Sequence, residues 1–285
     1  MKGKYLVTGA TGNIGRYVVE ELIKMGKTVM AGVSNIERGK TFFDERVELV
    51  KFDFLDSNTF DKALENIDGI FLVRPPKLAK PKEDMLPFLK EVKARNIKKI
   101  VFVSLLGVEK NPIVPHRKIE NMIKELDIPY CFLRPSFFMQ NLNTNHKEEI
   151  KERNELYIPV GKAKTSFIDT RDIGLAAAIT LTEDKYTNKS FTLTGDVAID
   201  YYEVADIMSD VLNRKIDYRN PSLFKFRRER IRRGTPKEFA NVMMFLYLMT
   251  KFGTAKDITD DLKIIIGRKP TSFREYIISH KEEWI

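Results

Sequence analysis

The chain has 285 residues, of which 43% are hydrophobic, and a formal net charge of +9. A fold of this length buries roughly three quarters of its unfolded surface without a metal or disulfide staple, and the single cysteine excludes a disulfide framework. No leader segment opens the sequence and no apolar run approaches the ~18 residues that cross a membrane, so we expect a cytoplasmic protein with no membrane partner.

The first predicted element is an apolar strand at residues 4–8, followed by a glycine-rich turn and an amphipathic helix. Gly9 permits a sharp turn, Gly12 lets backbone approach a pyrophosphate, and Gly15 lets the helix lie close to the strand. Glycine at every third position departs from the commonest dinucleotide-binding spacing, and the alternative is a plain tight turn. We predict that this turn binds a nicotinamide nucleotide through Thr8, Gly9, Thr11, Gly12, Asn13, Ile14 and Gly15.

Short apolar segments then alternate with helical patterns along the first half of the chain. The predicted strands span residues 28–33, 47–52, 69–73, 99–104 and 130–133. Segments that are apolar throughout suit strands buried on both faces, and parallel strands need helical crossovers. The pattern therefore predicts an α/β fold with a doubly wound parallel sheet, the Rossmann architecture.

The pattern changes near residue 161, where strand-like pieces at 165–168 and 190–193 mix with helices, and helical patterns dominate from residue 201. We predict an NAD(P)-binding Rossmann domain over residues 1–160 and a smaller, mixed but mainly helical, substrate-binding lobe over residues 161–285. Because no linker separates them and a helix starting near residues 169–174 can return to the sheet, we expect the two to be interleaved.

Ligands of open α/β sheets lie beyond the carboxyl ends of the strands. After the second predicted strand, no acidic residue stands at the strand end to hold ribose hydroxyls, whereas Ser34, Asn35 and Arg38 suit the extra phosphate of NADP. Glu37 lies close enough to weaken this preference. We therefore expect NADP (NADPH) to be favoured over NAD.

The next strand ends provide further predicted cofactor contacts. Asp53 and the backbone of Phe54 are placed near adenine, with a turn cap at Asp53 as an equal alternative. We place the segment that follows the fourth strand beneath the ribose, and Ser104 beside the nicotinamide. The alternative is that Arg74 or Ser104 is only a loop cap or a surface charge. The residues of the segment after the fourth strand are Val73, Arg74 and Pro75.

A basic stretch at residues 225–233 contains six Lys or Arg side chains with aromatic and aliphatic neighbours. Such a stretch is usually a solvated helix face, and binding of an anionic substrate or nucleic acid is the alternative. No nucleic-acid-binding motif accompanies it, so we do not expect a nucleic-acid partner. Cys131 lies in an apolar segment and is interpreted as a core side chain.

Several segments together resemble the NmrA-like branch of the atypical short-chain dehydrogenase/reductases. They are Gly9–Gly15, Val103–Ser104, Pro115–Glu120, Leu133–Leu142 and Gly267–Phe273, so the resemblance covers nearly the whole chain. It implies NAD(P)H-dependent reduction of quinones, azo dyes or triphenylmethane dyes, although this family also contains dinucleotide-binding redox sensors.

The tyrosine–lysine pair of active short-chain dehydrogenases is absent after Ser104, because the next predicted helix begins Pro115-His116-Arg117-Lys118. His116 is the remaining polar candidate, as a ribose ligand or as a group that passes a proton at its ordinary pKa near 6.5. The alternative is that His116 only begins the helix and forms its hydrogen bonds with backbone groups. His146 and His280 have no partners in the sequence pattern, and no spacing suggests a metal.

The resemblance places Pro135 and Phe137 on the nicotinamide side and gives Phe138, Gln140 and Asn141 to the substrate, with core packing or turn capping as alternatives. Hydride transfer to a delocalised acceptor needs little acid catalysis, so the missing tyrosine is compatible with reduction. We expect a reductase of a small aromatic or quinone acceptor, acting as a monomer or homodimer. The competing hypothesis is a non-catalytic, redox-sensing regulatory protein.

Overall fold

The computed structural model describes residues 3–285. Within them, seven parallel strands form one sheet in the order β3-β2-β1-β4-β5-β6-β8, and two short strands, β7 and β9, pair separately. The bounds are β1 Lys4–Thr8, β2 Thr28–Val33, β3 Val47–Lys51, β4 Gly69–Val73, β5 Lys99–Val103, β6 Tyr130–Pro135, β7 Glu155–Tyr157, β8 Lys189–Leu193 and β9 Asp217–Arg219. This is the predicted doubly wound α/β sheet, and the strand order reverses between β1 and β4.

The helices alternate with the strands in the first half of the chain and dominate the second half. Their bounds are α1 Gly15–Lys24, α2 Ile36–Lys40, α3 Phe60–Ala63, α4 Pro81–Asp84, α5 Leu86–Ala94, α6 Pro115–Glu125, α7 Asn141–Thr144, α8 Lys147–Arg153, α9 Thr170–Thr182, α10 Tyr201–Leu212, α11 Leu223–Arg232, α12 Lys237–Lys251, α13 Asp261–Ile266 and α14 Phe273–Ser279. No helix within residues 3–285 is long and apolar enough to span a bilayer.

The chain divides into two compact units. The sheet unit comprises the chain up to Pro135 together with Thr170–Leu193 and Asp261–Arg268, and the second unit comprises Ser136–Asp169, Thr194–Asp260 and Lys269–Ile285. Where the sequence suggested one boundary near residue 160, the chain passes between the units five times, so they are interleaved. The helix that starts at Thr170 belongs to the sheet unit.

Two strand predictions in the second half need correction. Residues 190–193 do not belong to the smaller lobe, because they form most of β8, which pairs in parallel with β6. Residues 165–168 do not form a strand but make isolated bridges from Thr165 to Ile199 and from Ile168 to Phe138. The backbone groups of these residues form hydrogen bonds at isolated bridges rather than along a continuous β-ladder.

The core of the sheet unit is dense on both faces of the sheet. On one face, Phe52, Phe54, Phe60 and Phe88 are buried, with ring centroids 4.7–6.1 Å apart in mostly edge-to-face pairs. On the other face α1 packs against α9, where a Cβ at Gly174 would lie 2.5 Å from the Cβ of Tyr17. This packing fixes the start of α1 relative to the sheet.

The second unit has its own core. Its helices bury Phe226, Tyr276 and Trp284, and Trp284 is fully inaccessible. Small β7 and β9 pair in parallel at its edge. The unit therefore meets the basic requirement for a compact lobe, a hydrophobic interior of its own.

Candidate functional site

The glycine turn after β1 has the geometry that the sequence predicted. Gly9 has a φ of +59°, and the Gly12 amide donates to its carbonyl at 2.9 Å. A Cβ at Gly15 would lie 2.2 Å from that same carbonyl oxygen. Gly9, Gly12 and Asn13 are exposed, whereas Ile14 and Gly15 are buried, so the turn presents backbone to solvent and packs its far side on the sheet.

The start of α1 is suited to an anion. Its N-cap residue, Ile14, gives no side-chain hydrogen bond to the helix, and no acidic residue lies in the first turn. The Arg16 and Tyr17 amides bond back to the Gly12 and Ile14 carbonyls at 3.3 and 2.9 Å, whereas no hydrogen bond from the Asn13, Ile14 or Gly15 amide is seen within residues 3–285. The helix dipole favours negative charge at these donors. The turn is also compact, because it has no room for a Cβ at Gly15. These residues therefore fit the pyrophosphate of a dinucleotide.

The hydroxyl of Thr8 is committed to the sheet. It donates to the Phe71 carbonyl at 3.1 Å and accepts from the Val73 amide at 3.0 Å, and the side chain is fully buried. This bridge ties β1 to β4 at the point where the strand order reverses. Any contact of Thr8 with a cofactor is thus left to its backbone.

At the end of β2, the predicted NADP-side residues lie at the surface. Ser34 and Arg38 are exposed, and Asn35 caps α2 by accepting from the Arg38 amide at 2.9 Å. The exposed Glu37 forms a surface ion pair with Lys40 at 2.8 Å. No carboxylate within residues 3–285 occupies the strand end itself, which is the position that would repel a 2′-phosphate.

Asp53 and Phe54 follow β3. The Asp53 carboxylate accepts from the Leu55 amide at 2.9 Å, as in the turn-cap alternative, and the side chain remains exposed. The Phe54 ring lies in the aromatic core, which leaves its backbone for the predicted contact. A role in binding adenine stays a prediction for both residues.

Arg74 organises the loop after β4. Its Nη1 donates to the carbonyls of Pro75, Pro76 and Leu78 at 2.7–3.1 Å, as expected for a loop cap. Its Nε is buried, with no partner within residues 3–285, and burial lowers the pKa of this guanidinium. Val73, the residue before Arg74, is half-buried, and its Cγ1 would lie 2.6 Å from a Cβ added at Gly9.

Ser104 and His116 bring two polar groups to the neighbouring strand end. The Ser104 hydroxyl is buried without a partner in the described chain. His116 stacks on Phe102 at 5.9 Å, and no hydrogen bond to its ring is seen within residues 3–285. Because Val73 and Val103 are paired in register, Arg74 and Ser104 follow adjacent strands. Buried polar groups are rarely left unpaired, so these atoms are suited to a ligand.

The charge state of His116 differs from the ordinary one assumed in the sequence analysis. Burial and the nearby Arg74 guanidinium lower the pKa of His116 to about 3. The ring is therefore neutral at physiological pH and is not a proton donor in its imidazolium form. Proton transfer by His116 at an ordinary pKa is therefore not expected, and its role as a ribose ligand stays a prediction.

A buried ion pair holds the helix that carries His116. Glu120, one turn further along α6, is fully buried and accepts two hydrogen bonds from the Arg134 guanidinium of β6 at 3.0 and 2.8 Å. Lys118, on another face, is exposed as expected. The pairing of Glu120 with Arg134 joins the segments 115–120 and 133–142, two of the segments on which the family resemblance rests.

The predicted residues beyond β6 have different surroundings. Pro135 is buried at the end of β6. In the second unit, Phe137 stacks on Tyr247 at 6.4 Å and Phe138 is half-buried. Gln140 is buried and donates to Asp169 at 2.8 Å, while Asn141 begins α7 and is partly exposed. Contacts of these residues with nicotinamide or substrate stay predictions.

A buried polar cluster in the second unit was missed by the sequence analysis. His146 lies between the Glu149 carboxylate, 2.5 Å from its Nδ1, and the Tyr247 hydroxyl, 2.7 Å from its Nε2. Arg230 and Arg233 pair with Glu149 at 3.2 and 3.0 Å. Only the spacing of His146 and Glu149 is visible locally, because the other partners are more than 80 residues away in sequence.

Charge balance explains this cluster. Burial disfavours the charged form of Glu149, yet hydrogen bonds from the His146 ring and the Tyr157 amide, together with the Arg230 guanidinium, hold the pKa of Glu149 below its usual value, so it is a carboxylate. Burial lowers the pKa of His146, so its ring is neutral. The solvated-face interpretation of residues 225–233 is therefore wrong for Arg230 and Arg233, which turn inward.

Two surface pockets are lined by residues other than the glycine turn, and the larger of them, about 410 Å³, lies in the second unit against Glu149, Arg230 and Phe239. A pocket of about 250 Å³ lies at the opposite edge of the sheet, near the starts of β5 and β6, lined by Lys93, Asn96, Ile97, Lys98, Asp127, Ile128 and Pro129. Ligands of such sheets lie at the carboxyl ends of the strands. Within residues 3–285 no group of three His, Cys, Asp or Glu side chains is arranged to hold a metal ion.

The model of the NmrA-like family matches residues 1–277 of this chain. The chain belongs to the NmrA-like family. This confirms the resemblance drawn from the glycine turn and the four further segments.

Relatives in the NmrA-like family match along nearly the whole chain. The uncharacterized oxidoreductase YesF of Bacillus subtilis (strain 168) is 30% identical over 98% of this chain and 96% of its own length. The NAD(P)H azoreductase of Xenophilus azovorans is 28% identical over 96% and 97%. The prestalk A differentiation protein A of Dictyostelium discoideum is 29% identical over 96% and 91%.

Solved structures show the same fold. The Escherichia coli NADPH-dependent quinone oxidoreductase QOR2, complexed with NADPH, has a TM-score of 0.88 at 23% identity, covering 98% of this chain and 99% of that one. The Citrobacter sp. triphenylmethane reductase, complexed with NADP(H), has a TM-score of 0.87 at 24% identity, covering 96% and 99%. The α/β fold with a parallel sheet is thereby confirmed along the whole chain.

Proposed function

We propose that this protein is an NADPH-dependent reductase that transfers hydride directly to a small conjugated acceptor, such as a quinone or an azo or triphenylmethane dye. The observation that carries the proposal is the glycine turn. The helix after it begins without a side-chain cap, and the turn has no room for a Cβ at Gly15. The chain matches its family over residues 1–277. Named reductases among its relatives support the choice of reaction.

The residues of the sheet unit are assigned to binding and orientation. The Gly9–Gly15 turn and the start of α1 bind the pyrophosphate, and Ser104 and neutral His116 hydrogen-bond the ribose and nicotinamide side. A bound nicotinamide nucleotide supplies the hydride. Water supplies the proton that the reduced acceptor takes up, since an acceptor with delocalised charge needs no strong protein acid.

The preference for NADPH rests on the end of β2. Exposed Arg38 offers a forked donor for a 2′-phosphate, and the charge of Glu37 is partly balanced by its ion pair with Lys40. In Arg38→Ala, we expect the Kd for NADPH to rise about tenfold or more while the Kd for NADH is unchanged. Arg46→Ala, which removes another exposed guanidinium, is the matched control.

The decisive assay is oxidation of NADPH and NADH by the purified protein with a panel of quinones, azo dyes and triphenylmethane dyes. The proposal expects turnover with at least one acceptor class and loss of turnover in Gly12→Asp, which places a carboxylate in the phosphate cradle. Tight NADPH binding with no turnover across the panel would overturn it.

A redox-sensing role is the second candidate, because the family resemblance also implies dinucleotide-binding sensors and one relative is named for differentiation rather than for a reaction. A sensor needs a partner that distinguishes two cofactor-bound conformations. Limited proteolysis with NADPH and with NADP⁺ tests this: different cleavage patterns without turnover favour the sensor, and identical patterns with turnover favour the reductase.

A further inference from the structure

Most of the excess charge of the chain lies in one segment of the second unit, residues 223–256, which holds α11, α12 and the residues that follow. It contains nine Lys or Arg and two Glu, so it supplies seven of the nine net positive charges. Arg230 and Arg233 turn inward to Glu149. The exposed cations of the segment are Lys225, Arg228, Arg232, Lys237, Lys251 and Lys256.

The same segment exposes large apolar side chains. No charged residue occurs between Phe239 and Thr250, and α12 buries only one face, through Ala240, Met243, Tyr247 and Thr250. Another face leaves Val242, Phe245 and Leu246 between 44% and 51% exposed. Phe224 on α11 and Phe252 after α12 are 79% and 75% exposed. Exposed apolar groups on this scale indicate a binding surface.

The combination of features selects the class of partner. Phe224 and Phe252 project from the surface beside exposed basic residues, and aromatic and aliphatic groups flanked by Lys and Arg are the combination that inserts at a bilayer interface. A second copy would bring two strongly positive segments together, which is unfavourable. Nucleic acid would pair with the cations but would leave the aliphatic side chains of α12 without a matching surface. Lys237 and Lys251 are exposed at the two ends of α12, and their long side chains can extend toward charged groups.

We propose that residues 223–256 form a peripheral docking surface for an anionic lipid bilayer. The exposed apolar face of α12, with Phe224 and Phe252, enters the boundary between headgroups and acyl chains, and the exposed cations bind the anionic headgroups. This inference is independent of the proposed reductase activity. The sequence led us to expect no membrane partner because the chain has no segment that spans a bilayer. This proposal replaces that expectation with binding at the bilayer surface.

The test is sedimentation of the full chain with vesicles of phosphatidylcholine alone or mixed with phosphatidylglycerol. We expect binding to the anionic vesicles only, weakening steeply as salt is raised from low to physiological concentration. Lys225→Glu/Arg228→Glu/Lys237→Glu should weaken that binding about tenfold or more, and Phe224→Ser/Phe252→Ser should weaken it at every salt concentration.

Matched controls lie on the sheet unit. Lys62→Glu/Lys82→Glu/Lys90→Glu makes the same change in net charge at exposed positions, and Ile113→Ser removes a side chain that is 79% exposed. Both controls should bind vesicles more tightly than the variants of residues 223–256. Equal loss in the controls, absence of binding to anionic vesicles, or normal binding by Phe224→Ser/Phe252→Ser would each overturn the proposal.

Dimerisation that depends on Phe224 and Phe252, with no vesicle binding, would also overturn it and assign the surface to a second copy. NADPH turnover is measured in parallel without vesicles. Vesicle binding without turnover would refute only the reductase proposal, and turnover without vesicle binding would refute only the docking surface.

Discussion

Gly15 sets the distance between the start of α1 and the turn before it. Because a Cβ there would lie 2.2 Å from the Gly9 carbonyl oxygen, Gly15→Ala must move the helix or the turn. We expect the Kd for NADPH to rise about 100-fold and the free energy of unfolding to fall by about 1–3 kcal/mol. Calorimetric titration and urea unfolding measure the two effects.

The control for Gly15→Ala is Gly26→Ala, just beyond the end of the same helix. Gly26 has a φ of +69° and no atom within 4 Å of an added Cβ, so the change costs about 1 kcal/mol of backbone strain and leaves NADPH affinity intact. Unchanged NADPH affinity in Gly15→Ala would contradict the assignment of the glycine turn to the pyrophosphate.

His116 gives a prediction about pH. Since its pKa in the folded protein is about 3, the ring stays neutral, and kcat/KM for the acceptor should show no inflection from this residue between about pH 5 and 8. His116→Asn should lower kcat/KM without changing the shape of the pH profile. An inflection near pH 6.5 that disappears in His116→Asn would contradict it.

The same pKa has a consequence for folding. Between the ordinary pKa of 6.5 and about 3, the unfolded chain binds a proton at His116 and the folded protein does not. Stability from this group is therefore present above pH 6.5 and is lost as the pH falls toward 3. Urea unfolding of His116→Asn should show a smaller loss of stability between pH 7 and pH 4 than the natural sequence, and an equal loss would refute the shift.

At the level of elements, α11 is fastened by the buried pairing of Arg230 with Glu149 of α8. Arg230 donates charge-assisted hydrogen bonds to the buried Glu149 carboxylate and to the Asn145 carbonyl, so Arg230→Met should cost about 3 kcal/mol of unfolding free energy even though Arg233 still pairs with Glu149. Arg228→Met makes the same change at an exposed site two residues earlier in the same helix and should cost no more than about 0.5 kcal/mol. Urea unfolding compares them, and equal costs would contradict an energetic role for the cluster.

The elements show what sequence alone can establish. The strands at 28–33 and 69–73 were predicted with the observed bounds, because buried parallel strands are apolar throughout and end at turn residues. Residues 190–193 were given to the wrong unit, since the exposed residues at the start of β8 resemble an edge strand of any sheet. The pairing of β8 with β6 depends on a connection of more than 50 residues, which local pattern does not encode.

The candidate site divides in the same way. The glycine turn was visible because its chemistry is local: three glycines, a strand before them and a helix after them. The neutral state of His116 was not visible, because it comes from burial against Phe102 and from Arg74, 42 positions earlier in the sequence. The partners of His146 were missed for the same reason.

At the scale of the whole molecule, the path of the chain determines how the units unfold. Each unit is built from three separate stretches of sequence, so neither can be released without disturbing stretches that continue into the other. We expect one cooperative transition: fluorescence of Trp284, the sole tryptophan, and circular dichroism of the whole chain should give the same urea midpoint. A fluorescence midpoint at lower urea would show that the second unit unfolds first.

Cys131 gives the molecule a practical property. It is the only thiol in the chain, it is fully buried in β6, and burial raises its pKa to about 12, so it does not react with maleimides while the protein is folded. A cysteine introduced at an exposed position such as Phe252 would then carry a single fluorophore without removal of the natural thiol. Site-specific labelling of the native background becomes a one-substitution experiment.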